Sequence, residues 1–300
     1  MNKNNAPAVM PAFSQLDTKI ETAGTTRPEE TLREGERLDD TGFSGYRLIQ
    51  KPEEFCYGVD AVLLANFASK NARRNQRICD LGTGTGIVPL ILAHKTEVKQ
   101  IVGVELQFDS WDRAMRMRTL NQLEDRLAFA NTDVAAIAGP KLYSGAKKSA
   151  KSMAVPKLTG EAAELLQPGS FQIVTTNPPY MAGSAALQSH NDAKRIARHE
   201  TTAGVREFVA AAARLLDERG EFCMVHRPSR LADIIAACRE FKLEPKELQM
   251  VAPRLGEAPN IVLIRCKKGG GAELNVLPTL PVYGEDDQYS EEIMRIYERI

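Results

Sequence analysis

The chain has 300 residues, 39 Lys+Arg balanced by 39 Asp+Glu, and 43% apolar residues. That balance excludes a uniformly basic histone-like binder and an acidic disordered chain, and it leaves ample apolar side chains for a core. No apolar run approaches the ~18 residues of a membrane span. The five cysteines contain no C-x-x-C pair, which gives no sign of a disulfide framework or a zinc site, and no metal is expected. The first residues lack a charged leader followed by a long apolar stretch, so the expected location is the cytoplasm.

Residues 1–40 are rich in Asn, Pro, Thr and charge, with acids outnumbering bases, and are expected to form a mobile extension. A single domain over 41–266 should follow. Short apolar runs at Arg77–Leu81, Gln100–Glu105, 127–132, Phe171–Thr176 and 221–226 alternate with helical patterns starting near Tyr57, Gly86, Asp109, Thr202 and Ser229. That alternation marks a mostly parallel sheet with helices on both faces. After Thr202 the period is clear: Val205, Phe208, Val209, Ala212, Leu215 and Leu216 fill one face, and Gly220 reads as the helix-ending residue. Segments 247–251 and 259–266 should pair antiparallel at the sheet edge. Residues 267–300 form an acidic tail, either packed on the domain or flexible.

Directly after the first of these runs comes Asp80-Leu-Gly82-Thr-Gly84-Thr-Gly86. Glycines there let backbone approach a ligand closely. The G-x-G-x-G spacing differs from the dinucleotide fingerprint, and no Lys-Ser/Thr follows as a phosphate loop requires. The Asp80 carboxylate is a poor neighbour for a pyrophosphate and a good one for an ammonium. Glu105 closes the next strand, where a carboxylate can accept two ribose hydroxyls. An ammonium and a ribose together favour S-adenosylmethionine. Asp133 could hydrogen-bond an adenine amino group or cap a helix.

A second motif, Asn177-Pro178-Pro179-Tyr180, follows the strand Phe171–Thr176. Two prolines fix the backbone and remove donors. The Asn oxygen and the Pro178 carbonyl can then accept both hydrogens of one planar NH2 group. Tyr180 offers an aromatic face on which a flat base can stack. Two such acceptors favour the positive charge that builds on an exocyclic nitrogen under attack on a methyl group.

These residues resemble the class I, S-adenosylmethionine-dependent amino-methyltransferases. The segment Tyr57-Gly58-Val59-Asp60-Ala61 is similar to that superfamily's cofactor-closing segment. Arg198-His199-Glu200, Val225-His226-Arg227-Pro228 and Arg230-Leu231 resemble stretches of the bacterial valine tRNA adenine-37 N6-methyltransferases. The resemblance implies a Rossmann-like, seven-stranded α/β fold with an antiparallel edge hairpin. It implies cofactor contacts at Asp60, Asp80, Gly82, Gly84, Gly86, Glu105 and Asp133, and a base held by Asn177, Pro178 and Tyr180. The implied partner is tRNA, and a monomer is expected.

Because net charge is zero, RNA contacts must be local. Lys194, Arg195, Arg198 and Arg206 cluster after the motif, and with Pro179 and His199 they are the candidate substrate-binding residues. A lysine-rich stretch at 141–160 reads equally as an RNA contact or a solvated insertion. His226 is expected to be a satisfied, half-buried histidine, Trp111 a packing residue, and the cysteines small core residues. The same two acceptors would also suit a protein glutamine amide or a DNA adenine. A non-catalytic RNA-binding module on the same fold is the reading from a different class.

Overall fold

The computed structural model describes residues 31–54, 56–139, 158–179 and 203–300. A hairpin opens it, with β1 (Arg37–Asp40) antiparallel to β2 (Arg47–Gln50). Then follow α1 (Val59–Ser69), β3 (Arg77–Leu81), α2 (Ile87–Lys95), β4 (Gln100–Glu105), α3 (Phe108–Leu120) and β5 (Leu127–Asn131). Short helices α4 (Val134–Ala138) and α5 (Gly160–Leu165) lead to β6 (Phe171–Thr176). The chain continues through α6 (Val205–Leu215), β7 (Leu216–His226), α7 (Leu231–Glu240), β8 (Leu243–Ala252), β9 (Ile261–Lys268), β10 (Asn275–Pro281) and α8 (Glu291–Ile296).

The main sheet has eight strands in the order β10-β8-β9-β7-β6-β3-β4-β5. Its pairs are parallel except for β9, which runs against both neighbours. Because helices cover both faces, both sets of alternating side chains are apolar. Ile78, Ile101, Leu127 and Ile173 lie on the face covered by α1, α2 and α3, while Cys79, Val102, Val174 and Phe222 lie on the opposite face, covered by α6 with α4 and α7. Four of the cysteines are buried and Cys56 is partly buried; all five are free thiols, in keeping with small packing residues.

Three sequence-based expectations need correction. The 1–40 boundary falls too late, because β1 lies inside it. Arg116 of α3 donates two hydrogen bonds to Glu36, of 2.8 and 2.7 Å, and fastens this stretch to the domain. Seven strands become eight: β10, from the tail, pairs in parallel with β8, so the antiparallel pair β8–β9 is not the sheet edge. Gly220 does not end a helix. It lies inside β7, where pairing jumps from Phe171↔Leu216 to Ile173↔Glu221, and a β-carbon there would sit 2.8 Å from Leu216 Cδ2. Among the described residues, no helix is long and apolar enough to cross a membrane.

Strand order locates the crevice. From β3 the chain moves outward through β4 to β5, then returns to place β6 on the other side of β3. In open α/β sheets a ligand binds at such a reversal, beyond the carboxyl ends of the strands.

Candidate functional site

The two motifs leave the two strands that flank this reversal. Leu81 pairs with Thr176, so the glycine loop and Asn177 emerge side by side, from strands ~4.8 Å apart. Two threonines tie them together: Thr176 Oγ1 donates to the Leu81 carbonyl at 2.9 Å, and Thr175 Oγ1 to Asp80 Oδ1 at 2.7 Å. Sequence reading passed over this pair; two hydroxyls closing the strand after Ile173 and Val174 were the available signal.

The loop is built on β4. Gly82 and Thr83 both donate their N–H to the Val104 carbonyl at 2.9 Å, and Gly84 donates to Glu105 Oε2 at 2.8 Å. Gly84 and Gly86 have φ of +58° and +88°, a region costly for side chains. A β-carbon at Gly84 would meet nothing within 4 Å, so bare backbone faces open space. At Gly86 it would lie 2.7 Å from Met117 Cε. Gly103, a position the motif reading missed, lacks the side chain that would strike Phe129 at 2.5 Å and Thr83 at 2.8 Å. Its bareness lets the loop settle onto β4.

The electrostatics are acidic and poorly solvated. Asp80 is 1% exposed. Burial pushes its carboxyl up to about 7, although the hydroxyls of Thr175 and Thr83 pull it back. Glu105 is also raised by burial, against the backbone N–H groups of Gln107, Gly84 and Leu106. Its Oε1 and Oε2 accept from Gln107 N and Gly84 N, both at 2.8 Å. Since each carboxylate oxygen can accept twice, capacity for a diol remains. Beside it stand Leu106 and Phe108, the latter 59% exposed and not singled out by the sequence reading, which together leave an uncovered apolar surface. Phe108 also tilts against Trp111, whose indole donates to the Phe129 carbonyl at 3.0 Å, as a packing residue should.

Helix α1 brings in the third component. Gly58 caps it, and Asp60 in its first turn accepts from Asn177 Nδ2 at 3.2 Å. The structure therefore brings Asp60, Asp80, Gly82, Gly84, Gly86, Glu105, Asn177 and Pro178 together at the strand-order reversal, on the carboxyl side of the sheet. Asp133, at the end of β5, caps α4 by accepting from Ala135 N at 2.8 Å, which realises the capping alternative. His226 ends β7 and is 3% exposed, more deeply buried than half. Burial, then Arg230, lowers it to about 4, and its Nδ1 accepts the Arg227 N–H at 2.7 Å, so it is neutral at pH 7. Arg206 pairs with Glu240 at 2.6 Å and lies over Phe241. Tyr180, Lys194, Arg195, Arg198 and His199, and the lysines of 141–157, lie outside the described residues, while Pro179 is exposed at their border.

Bare loop backbone, a buried carboxylate beside it, a second carboxylate at the next strand end and an apolar wall suit a ligand carrying an ammonium, a ribose and a flat base. No basic side chain stands in the loop to receive a pyrophosphate. The donor set thus fits the cofactor expected from the sequence.

No protein-family model matches the chain. Among curated proteins it is similar to the tRNA1(Val) (adenine(37)-N6)-methyltransferase of Porphyromonas gingivalis, 23% identical over 245 residues, covering 80% of this chain and 86% of the relative. The protein of the same name from Aeromonas hydrophila is 24% identical over 242 residues, covering 80% and 87%. Among solved structures, a predicted O-methyltransferase from Agrobacterium tumefaciens superposes with a TM-score of 0.57 at 21% identity, covering 80% of this chain and 95% of that one. TYW2 of Pyrococcus horikoshii, in complex with MeSAdo, gives 0.51 at 10% identity, covering 79% and 73%. The chain has the class I methyltransferase fold, and its resemblance to the valine tRNA enzymes extends over most of its length.

Proposed function

We propose that this chain transfers a methyl group from S-adenosylmethionine to the exocyclic N6 of an adenine in tRNA, adenine 37 of valine tRNA being the specific target. The observation that supports it most is the register Leu81↔Thr176, which sets the glycine loop and Asn177-Pro178 side by side at the sheet reversal. The names of the similar curated proteins support the choice of tRNA adenine over a glutamine amide or DNA.

When bound, S-adenosylmethionine supplies a methyl carbon on a positively charged sulfur. Asp80 and Glu105 would hold its ammonium and ribose, with Gly82, Gly84, Gly86 and Asp133 completing the cofactor side. The exocyclic nitrogen is a weak nucleophile because its lone pair is delocalised into the ring. Asn177 Oδ1 and the Pro178 carbonyl accept its two N–H groups, orient it and favour the positive charge that develops as the new C–N bond forms and the C–S bond breaks. The proton then leaves to solvent, so no dedicated base is required. Removing one preorganised hydrogen-bonding group aimed at developing charge costs about 10²–10³ in rate, and alignment supplies much of the rest. Tyr180 would stack on the base, while Pro179, Lys194, Arg195, Arg198 and His199 would contact RNA. A monomer working in the cytoplasm is part of this proposal.

The test is mass spectrometry of nucleosides from cellular tRNA with and without the gene, joined to methylation of purified tRNA, duplex DNA and release-factor protein. Loss of N6-methyladenosine from tRNA together with methylation of tRNA alone supports the reading. Unchanged tRNA nucleosides, or transfer to protein or DNA instead, overturns it.

A further inference from the structure

The contact between Asp60 and Asn177 does something that the acceptor pair needs. A carboxamide has a donating end and an accepting end, and rotation by 180° exchanges them with almost no change of shape. In the methyl-transfer reading, on which this inference rests, only the oxygen of Asn177 is useful, since a turned amide would oppose an NH2 group with another NH2 group. An ionised carboxylate can only accept. Asp60 Oδ2 stands 3.2 Å from Asn177 Nδ2, so the nitrogen must face it and the oxygen must face away.

The carboxylate is itself held in place. Its Oδ1 accepts the Ala61 N–H at 2.9 Å, in the first turn of α1. A β-carbon on Gly58 would lie 3.0 Å from that Oδ1, so the bare residue before the helix leaves the carboxylate its room. Asp60 is buried at 9% exposure, and the α1 helix that carries it is buried on nearly every side, with Ala61, Val62, Leu63 and Leu64 all in the core. A rigid helix therefore carries an acceptor to the one residue whose orientation matters.

We infer that Asp60 is a positioning residue that sets the carboxamide of Asn177 with its NH2 turned toward α1 and its oxygen toward the amine to be methylated. This assigns it a task distinct from contact with the methionine end of the cofactor.

Asp60→Asn tests it with almost no change of shape. An amide at 60 offers either end to Asn177, so the bias is lost. Single-turnover methylation of tRNA should fall about tenfold to a hundredfold, the scale of a misplaced reacting group. Cofactor affinity, measured by calorimetry, should stay within a few fold. Gly58→Ala, whose backbone at φ −114° admits alanine, should give a smaller loss of the same kind by pressing on Oδ1. Asn177→Asp alone sets two carboxylates face to face. Adding Asp60→Asn should make that variant faster, because an amide now faces a carboxylate again; a merely structural Asp60 would make it slower. Independently of activity, the side-chain NH2 resonances of Asn177, identified by their loss in Asn177→Ala, should exchange faster with solvent in Asp60→Ala. A wild-type rate in Asp60→Asn, a loss confined to cofactor affinity, or a double variant slower than Asn177→Asp overturns the inference. If wild-type protein leaves tRNA unmethylated, the methyl-transfer reading fails, and the resonance experiment still decides whether Asp60 orients Asn177.

Discussion

Asp80, on β3, and Asn177, just past the end of the adjacent β6, ask for opposite experiments. For Asn177→Ala, cofactor affinity should stay within a few fold while single-turnover methylation drops by about two orders of magnitude or more, because only the charge developing on the amine loses its acceptor. Near-normal turnover would remove the acceptor pair from the chemistry. Asp80 is a buried carboxyl raised from 3.8 to about 7, with burial the largest cause. A group raised on folding contributes stability at low pH and loses it as pH rises through the folded value. Above pH 7 the ionised form therefore costs the empty protein free energy, with a ceiling of about 4 kcal/mol at 1.36 kcal/mol per unit. Asp80→Asn should accordingly raise the Tm of the ligand-free protein at pH 8, and the gain should shrink steadily toward pH 5. A gain independent of pH, seen in thermal melts across that range, would assign it to packing instead. The motif residues were legible in the sequence because their chemistry is local: glycine, carboxylate and proline act through their own atoms. Gly103, Thr175 and Thr176 were not, since each matters only through a partner on the neighbouring strand.

Elements were legible in proportion to how fully they are buried. Strands β3, β4 and β6 match the apolar runs residue for residue, because both faces are covered and their central positions are apolar, with polar residues confined mainly to the ends. Strand β10 went unread for the converse reason. Its sequence NVLPTLP carries two prolines and its residues are mostly exposed. Proline is tolerated there because the strand lies at an edge, and the pairing is irregular between Leu277 and Leu280, around Pro278. The same tail then brings Ile293 and Tyr297 into the core, with Tyr297 stacked on Phe43 at a centroid distance of 6.0 Å. Deleting residues 272–300 would bare the β8 edge and that part of the core together. The expected result is a lower Tm and concentration-dependent aggregation, read by thermal melts and light scattering. A truncated chain that stays monomeric with an unchanged Tm would show that the strand is ornamental.

At the scale of the whole molecule, the site couples stability to ligand. The crevice joins β3, β4 and β6 with the start of α1, so a molecule bound there bridges elements from both halves of the sheet. A ligand that binds only the folded state at a hundred times its Kd stabilises it by about 2.7 kcal/mol. For a chain of this size that is a Tm increase of roughly 4–5 °C. S-adenosylmethionine should produce such a shift, and NAD at the same concentration should not, because the loop holds carboxylates where a pyrophosphate would lie. The sign of the pH dependence follows from Asp80. An ammonium needs the ionised carboxylate, and the empty site holds a proton there below about pH 7. Binding then releases that proton, so affinity should weaken toward a limit of about tenfold per unit as pH falls below 7 and level off above it. Asp80→Asn should bind weakly and without that slope. A cofactor affinity flat from pH 5.5 to 8 in the wild-type protein would mean that Asp80 is not the group facing the ammonium, and the electrostatic part of the site would have to be reassigned to Glu105.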